Sequence, residues 1–153
     1  MLRVGIIGLG FIGHVHYKAY RALKDKVTIA AICDIERERL DHPGAILGNI
    51  DAGPDGVDLS EAALYTDAAK MLAEQKLDLV SIGLPTYLHA KYTRMALEAG
   101  VHKLVYVSVL NGPELRGLDY VRAHEDVVDR LIDLANERGG QDNITAVLVE
   151  VQG

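Results

Sequence analysis

Three glycines stand at a chemically informative spacing in the first stretch of the 153-residue chain: Gly8-Leu9-Gly10-Phe11-Ile12-Gly13. The chemistry this spacing suits is the binding of a pyrophosphate. Gly8 permits a tight turn, Gly10 lacks a β-carbon and so lets the backbone approach a phosphate, and Gly13 lets a helix pack closely on a strand. The N–H groups at the helix start, on Phe11 and Ile12, then face the phosphates together with the positive end of the helix dipole. The spacing carries weight only between a strand and a helix. Leu2 to Ile7 is an apolar run that reads as a buried strand, and helical periodicity follows the turn. A second candidate is Asp34, which ends the next strand-like run. A carboxylate there can accept hydrogen bonds from a ribose diol and repel a 2′-phosphate, which favours NAD over NADP. It can equally cap a short helical turn over Ile35 to Leu40. By residue type the two readings are level, and the preceding glycine turn favours the ribose.

The remaining reactive side chains suggest little further chemistry. Cys33 is the only cysteine, which excludes an internal disulfide and a thiolate cluster. It lies in an apolar run and reads as packing. His14 and His16 could sit near a bound cofactor, but they read as ordinary solvent-facing helix histidines. Their i, i+2 spacing points them apart, whereas a metal pair would want i, i+4. Tyr65, Tyr87 and Tyr92 read as packing groups, and Glu125, Asp126 and Asp129 as a solvated helix face. No Ser-His-Asp or Cys-His arrangement is present.

Composition sets the outer bounds. The length predicts one domain, large enough to bury a core without staples. Hydrophobic residues make up 49% and charged residues 25%, ordinary values for a globular protein. The net charge of −6 argues against a nucleic-acid backbone as partner but leaves a dinucleotide open, because local dipoles hold it. No apolar run is long enough to span a bilayer. No basic-then-apolar leader opens the sequence, so a cytoplasmic setting is the expectation.

The elements that must position these residues alternate. Ile12, Val15, Ala19 and Leu23 predict a helix over Phe11 to Lys24 with that face inward. Val27 to Cys33 reads as a second strand. Asp41 to Ser60, rich in glycine and proline, reads as a long loop. Leu64-Tyr65 suggests a short edge strand, and Thr66 a cap for a helix over Asp67 to Gln75 with Ala68, Met71 and Leu72 on its apolar face. Leu77 to Ile82 is the next strand, and Gly83-Leu84-Pro85-Thr86 the turn after it. Leu88, Tyr92, Met95 and Ala99 mark a helix ending at Gly100. Val101 to Leu110 reads as a strand broken by Asn111-Gly112-Pro113. A last helix, periodic at Val127, Val128, Leu131, Leu134 and Ala135, stops at Gly139-Gly140, and Ile144 to Val151 is a final strand. Strands alternating with helices predict a doubly wound, Rossmann-like α/β fold: three layers, a parallel sheet in the order 3-2-1-4-5-6 and right-handed crossovers.

Residues from Leu2 to about Leu104 resemble the cofactor domain of the glucose–fructose oxidoreductase/inositol dehydrogenase family. The resemblance is carried by Val4 to Gly13, Ala31-Ile32-Cys33-Asp34, Tyr65-Thr66-Asp67, the stretch Leu79 to Ala90 and Ala96-Leu97-Glu98-Ala99-Gly100. It implies that the glycines and Asp34 hold the adenine-side half of NAD, and that Leu84, Pro85 and His89 lie near the nicotinamide half. The family continues G-K-H-V-x-x-E-K-P, with an active-site lysine. Here Tyr106-Val107-Ser108 follows, and Val107, at the lysine position, cannot transfer a proton. The family's α+β substrate domain has no counterpart in the sequence.

Asp129 to Val147, through Gly139-Gly140-Gln141-Asp142-Asn143-Ile144-Thr145, resembles the last helix and strand of metal-dependent serine/threonine protein phosphatases. That resemblance implies a metal ligand at Asp142. A two-metal site needs several carboxylates, so a helix and strand completing the sheet is the favoured reading. The double resemblance, with a seam near 105–125, suggests a recombined or designed chain. The expectation is therefore a domain that binds NAD weakly without catalysing a reaction. A scaffold with no retained ligand and a dehydrogenase fragment are the alternatives. Losing a second domain would expose apolar surface, so a homodimer is also expected.

Overall fold

Val4, Ile6 and Ile7, then Ala31, Ile32 and Cys33, then Val80 and Ile82 are each no more than 3% exposed. Runs buried on both faces are what a parallel sheet covered by helices on each side requires. The computed structural model describes residues 1–43 and 57–106. Along them run β1 (Leu2–Ile7), α1 (Phe11–Ala22), β2 (Val27–Cys33), α2 (Arg37–Asp41), β3 (Ala63–Tyr65), α3 (Ala68–Glu74), β4 (Leu79–Ile82), α4 (Thr86–Glu98) and β5 (Lys103–Tyr106). The five strands are parallel and lie in the order β3-β2-β1-β4-β5. This is the expected Rossmann-like arrangement. The predicted sixth strand at 144–151 lies outside the described residues, as do most of the predicted 41–60 loop, the helix before that strand, Val107 and Asp142.

Each face of the sheet carries its own apolar layer. Ile7, Ala31, Cys33, Val80 and Ile82 pack with Ala68, Met71 and Leu72 of α3 and Ala96 of α4. Val4, Ile6 and Ile32 pack with Tyr17 of α1 and Leu40 of α2. The apolar face predicted for α3 is therefore the buried one. Its cap is Asp67 rather than Thr66: the carboxylate accepts from the Ala69 and Lys70 N–H groups at 2.7 and 3.1 Å. Helix α4 ends as predicted at Gly100, whose φ is +84°. Gly100 N–H donates to Leu97 O and Val101 N–H to Ala96 O, the paired bonds of a Schellman ending.

Two helix faces depart from expectation. In α1 the buried residues are Gly13, His14 and Tyr17, whereas Val15 and Leu23 are 44% and 47% exposed and Ala19 is exposed too. Gly13 must face the sheet, and at 3.6 residues per turn this brings Tyr17 inward and sends Val15 and Ala19 outward. In α4 the buried centre is His89, Thr93 and Ala96, with Tyr92 and Met95 half-buried beside it.

The histidines of α1 are correspondingly not solvent-facing. His14 is fully buried. His16 is half-buried, with its Nδ1 at 2.7 Å from the hydroxyl of Ser81 on β4. Burial lowers the His16 pKa from its ordinary value, because desolvation disfavours the charged ring. The unfolded chain then binds the proton more readily than the folded one, so stability falls as pH drops below about 6.5, the unperturbed histidine value. A series of thermal melts from neutral to mildly acidic pH should show this loss in the wild type and a shallower one in His16→Gln.

Candidate functional site

Strands β1 and β4 are neighbours, and the order of connections reverses between them: α1 leads on to β2 on one side and α4 to β5 on the other. Beyond the carboxyl ends of two such strands an open α/β sheet forms its ligand crevice. Both helix starts there lack a side-chain cap. Gly10 is the N-cap of α1 and Pro85 that of α4, and neither helix receives a capping side-chain bond. The first N–H groups of a helix have no partner within it. At α1 these are the groups beginning with Phe11 and Ile12. Phe11 is 59% exposed and Ile12 half-buried.

The three glycines of the turn do different work. Gly8 has φ +91°, a left-handed backbone that glycine adopts without cost. A β-carbon on Gly13 would lie 1.9 Å from the Gly8 carbonyl oxygen, so no side chain fits. A β-carbon on Gly10 would meet nothing within 4 Å. The space over Gly10 is thus open, the condition for close approach of a phosphate. Gly83, at the end of β4, joins the cluster: a β-carbon on it would lie 2.8 Å from the Gly8 carbonyl oxygen and from the Gly13 Cα and nitrogen.

Asp34 is buried, its side chain 2% exposed. Its Oδ2 accepts from the Leu9 N–H at 2.7 Å and its Oδ1 from the Glu36 N–H at 2.9 Å. The Arg39 guanidinium stands 3.4 Å from Oδ2 and also pairs with Glu36 at 3.0 Å. The carboxylate therefore ties the glycine turn to the end of β2. The N-cap of α2 is Glu36, so Asp34 closes a turn before the helix rather than capping it. Cys33 beside it is buried, and burial with the neighbouring Asp34 and Asp67 charges pushes its thiol up to about 12. A thiol so far from ionising is a packing group.

On the α4 side, Leu84 is half-buried and its side chain bounds the space beside Gly8. Pro85 is exposed. His89 is 3% exposed, and its Nε2 lies 2.7 Å from the Leu84 carbonyl oxygen, to which it donates. The ring supports the turn after β4 from beneath. Among the described residues no three His, Cys, Asp or Glu side chains come together to hold a metal ion. No described helix is long and apolar enough to cross a membrane.

Residues 2–106 match the GFO_IDH_MocA family, an oxidoreductase family with an NAD-binding Rossmann fold. The chain belongs to this family. Among curated relatives it is 34% identical over 96 residues to D-apiose dehydrogenase of Paraburkholderia graminis, covering 63% of this chain and 22% of that protein. It is 31% identical over 101 residues to D-glucoside 3-dehydrogenase of Escherichia coli, covering 66% and 25%. The chain thus spans about a quarter of the length of these relatives. Among solved structures, UDP-N-acetylglucosamine 3-dehydrogenase of Acidithiobacillus ferrooxidans superposes with a TM-score of 0.55 at 26% identity, over 90% of this chain and 35% of that one. The WlbA dehydrogenase of Bordetella pertussis, solved with NADH and UDP-GlcNAcA, superposes at 0.53 with 25% identity, over 67% and 27%.

Gly83 packs on Gly8 and Gly13, and the buried His14 has its Nδ1 2.9 Å from the Gly10 carbonyl oxygen; the sequence alone selects neither as a neighbour of the glycine turn. Gly83 sat in the strand–helix turn of a G-L-P-T stretch without a fingerprint of its own, and its role follows from β4 lying next to β1. His14 carried no spacing signal. The glycine contact itself is directly testable. Gly13→Ala should destabilise the domain by about 1–3 kcal/mol, the usual cost of overpacking, read as a lower midpoint in chemical denaturation.

Proposed function

We propose that this member of the family binds NAD(H) in the crevice between β1 and β4, with the pyrophosphate on the uncapped start of α1, and that it lacks a complete catalytic apparatus of its own. The observation that carries the reading is the open backbone at Gly10 beside a helix start that no side chain caps. Gly8, Gly13 and the N–H groups of Phe11 and Ile12 shape and line that end. Leu84, Pro85 and His89 bound the other half, where the nicotinamide would supply a hydride acceptor or donor. Val107 stands where the family's lysine is expected, which argues against proton transfer at that point.

NAD is favoured over NADP. Two carboxylates, Asp34 and Glu36, face one guanidinium, Arg39, at the end of β2, and the surplus negative charge opposes a 2′-phosphate. The ribose diol would have to share Asp34 with Leu9 and Arg39. A second reading, the cofactor half of a carbohydrate dehydrogenase, draws on the relatives named above and requires turnover of a sugar with NAD. We further read the sequence as recombined or designed, on the strength of its two resemblances; a natural parent matching the whole length without a seam would overturn that.

Isothermal titration with NAD, NADH and NADP tests the binding reading, with Gly10→Val as the control. Valine at Gly10 should leave the melting curve close to that of wild type, because its side chain enters open space, yet abolish saturable NAD binding. NADP should bind more weakly than NAD. A cooperatively folded protein giving no heat at millimolar NAD would leave a scaffold that kept the fold and lost the ligand.

A further inference from the structure

The glycine turn holds no lysine or arginine: Gly8 to Gly13 offers a pyrophosphate only backbone amides and apolar side chains. The basic side chain nearest to it in the chain is His14, in the first turn of α1, and its ring is fully buried. Nδ1 lies 2.9 Å from the Gly10 carbonyl oxygen and Nε2 lies 2.7 Å from the Pro43 carbonyl oxygen. A carbonyl oxygen only accepts, and a neutral imidazole carries a single N–H. A neutral ring would satisfy one carbonyl and turn a lone pair on the other. Two carbonyls facing two ring nitrogens is the pattern of an imidazolium, which donates from both.

We infer that His14 is the cationic anchor of the phosphate loop: a buried imidazolium one turn into α1 that answers the charge of a bound pyrophosphate and ties Pro43 to Gly10. The inference rests on the dinucleotide-binding reading above.

Electrostatics explain why such a ring belongs with an anion. The start of a helix repels a cation, and a buried charge without a counter-charge is costly. No carboxylate is bonded to the His14 ring among the described residues; both its partners are carbonyls. The charged and titratable side chains on the elements around it are His16, Tyr17, Lys18, Tyr20 and Arg21 of α1, Arg3 of β1, Cys33 and Asp34 at the end of β2, Glu36, Arg37, Glu38, Arg39, Asp41 and His42 through α2, and Asp58 and Glu61 before β3. The acidic groups there with hydrogen-bond partners are committed elsewhere: Asp34 to the Leu9 and Glu36 N–H groups and Arg39, the Glu36 carboxylate to Arg39, Asp41 to Arg37, Asp58 to the Ser60 N–H and Glu61 to Arg21. A pyrophosphate on the same helix start supplies the missing negative charge and offsets both costs. The ring also links two parts of the chain, because its Nε2 bond reaches 29 positions along to Pro43. Charge at the phosphate loop and the position of Pro43 are thereby joined in one side chain.

The test uses the full chain with ¹⁵N-labelled histidine rings. In the NADH complex at neutral pH both ring nitrogens of His14 should be protonated. His14→Gln, which keeps hydrogen-bonding capacity without the charge, should weaken NADH binding about tenfold, the scale of a partly buried charge at a helix end. An unprotonated ring nitrogen in the complex overturns the inference, and this readout needs no variant to fold. A His14→Gln protein that binds NADH as tightly as wild type overturns it as well, while leaving the dinucleotide reading in place. A wild-type chain that binds no NADH overturns both.

Discussion

The contact of backbone on backbone between α1 and the ends of β1 and β4 governs the rest of the structure. Gly13 sits so close to the Gly8 carbonyl that a β-carbon would lie 1.9 Å from it, and Gly83 closes in on both from the next strand. Such an approach fixes the rotation of α1 about its axis. Once Gly13 faces the sheet, His14 and Tyr17 are buried with it and His16 reaches Ser81, while Phe11, Val15 and Leu23 turn to solvent. Apolar burial alone would have chosen the opposite face. The glycine contact wins because the polar groups it pulls inward all find partners: His14 on Gly10 and Pro43, His16 on Ser81 and Tyr17 on the Asp58 carbonyl. A buried polar group is expensive only when its hydrogen bonds are lost.

Asp34 extends the same constraint to the second strand. One carboxylate receives an N–H from the glycine turn, an N–H from the chain leading into α2 and a guanidinium from α2 itself. The turn after β1 and the turn after β2 are therefore held as one unit, in addition to the Gly8 N–H that donates to the Cys33 carbonyl at 2.8 Å. The geometry that receives a phosphate and the carboxylate that would meet a ribose are not set independently. A ligand that draws Asp34 toward itself also pulls on Leu9.

This division explains what could be read from the sequence. The strands were legible because burial on both faces leaves unbroken apolar runs, as in Leu2 to Ile7 and Val27 to Cys33. Strand order followed from alternation with helices, and the end of α4 from Gly100, where a left-handed backbone favours glycine. The rotation of α1 was not legible. Periodicity counts apolar side chains, and here the decisive contact is made by a residue with no side chain. The cap of α3 was missed by one residue because Thr66 and Asp67 are both good caps, and only the backbone path decides between them. Asp34 stands out in the sequence as a carboxylate ending a strand, but its inward bonds to Leu9 and Glu36 depend on how β1 and β2 pair. The contacts of Gly83 and His14 with the glycine turn depend on β4 lying beside β1 and on Pro43 reaching the His14 ring.

The starts of α1 and α4 are held without side-chain caps. Among the described helices only α3 has a side-chain cap, Asp67, and the short α2 also starts without one. At α1 and α4 a side-chain cap worth about 1 kcal/mol is forgone, and both ends open on the same crevice. At α4 the supporting bond comes from within, as His89 holds the Leu84 carbonyl. At α1 it comes from His14 on the Gly10 carbonyl. Each helix start is thus braced from behind by a buried histidine, and its outward N–H groups are left to face the crevice. A cap would stabilise the same helix but occupy those donors. Local stability is given up where the fold holds the backbone still by other means, which is the pattern expected of a surface shaped for an anionic ligand rather than of an unfinished helix end.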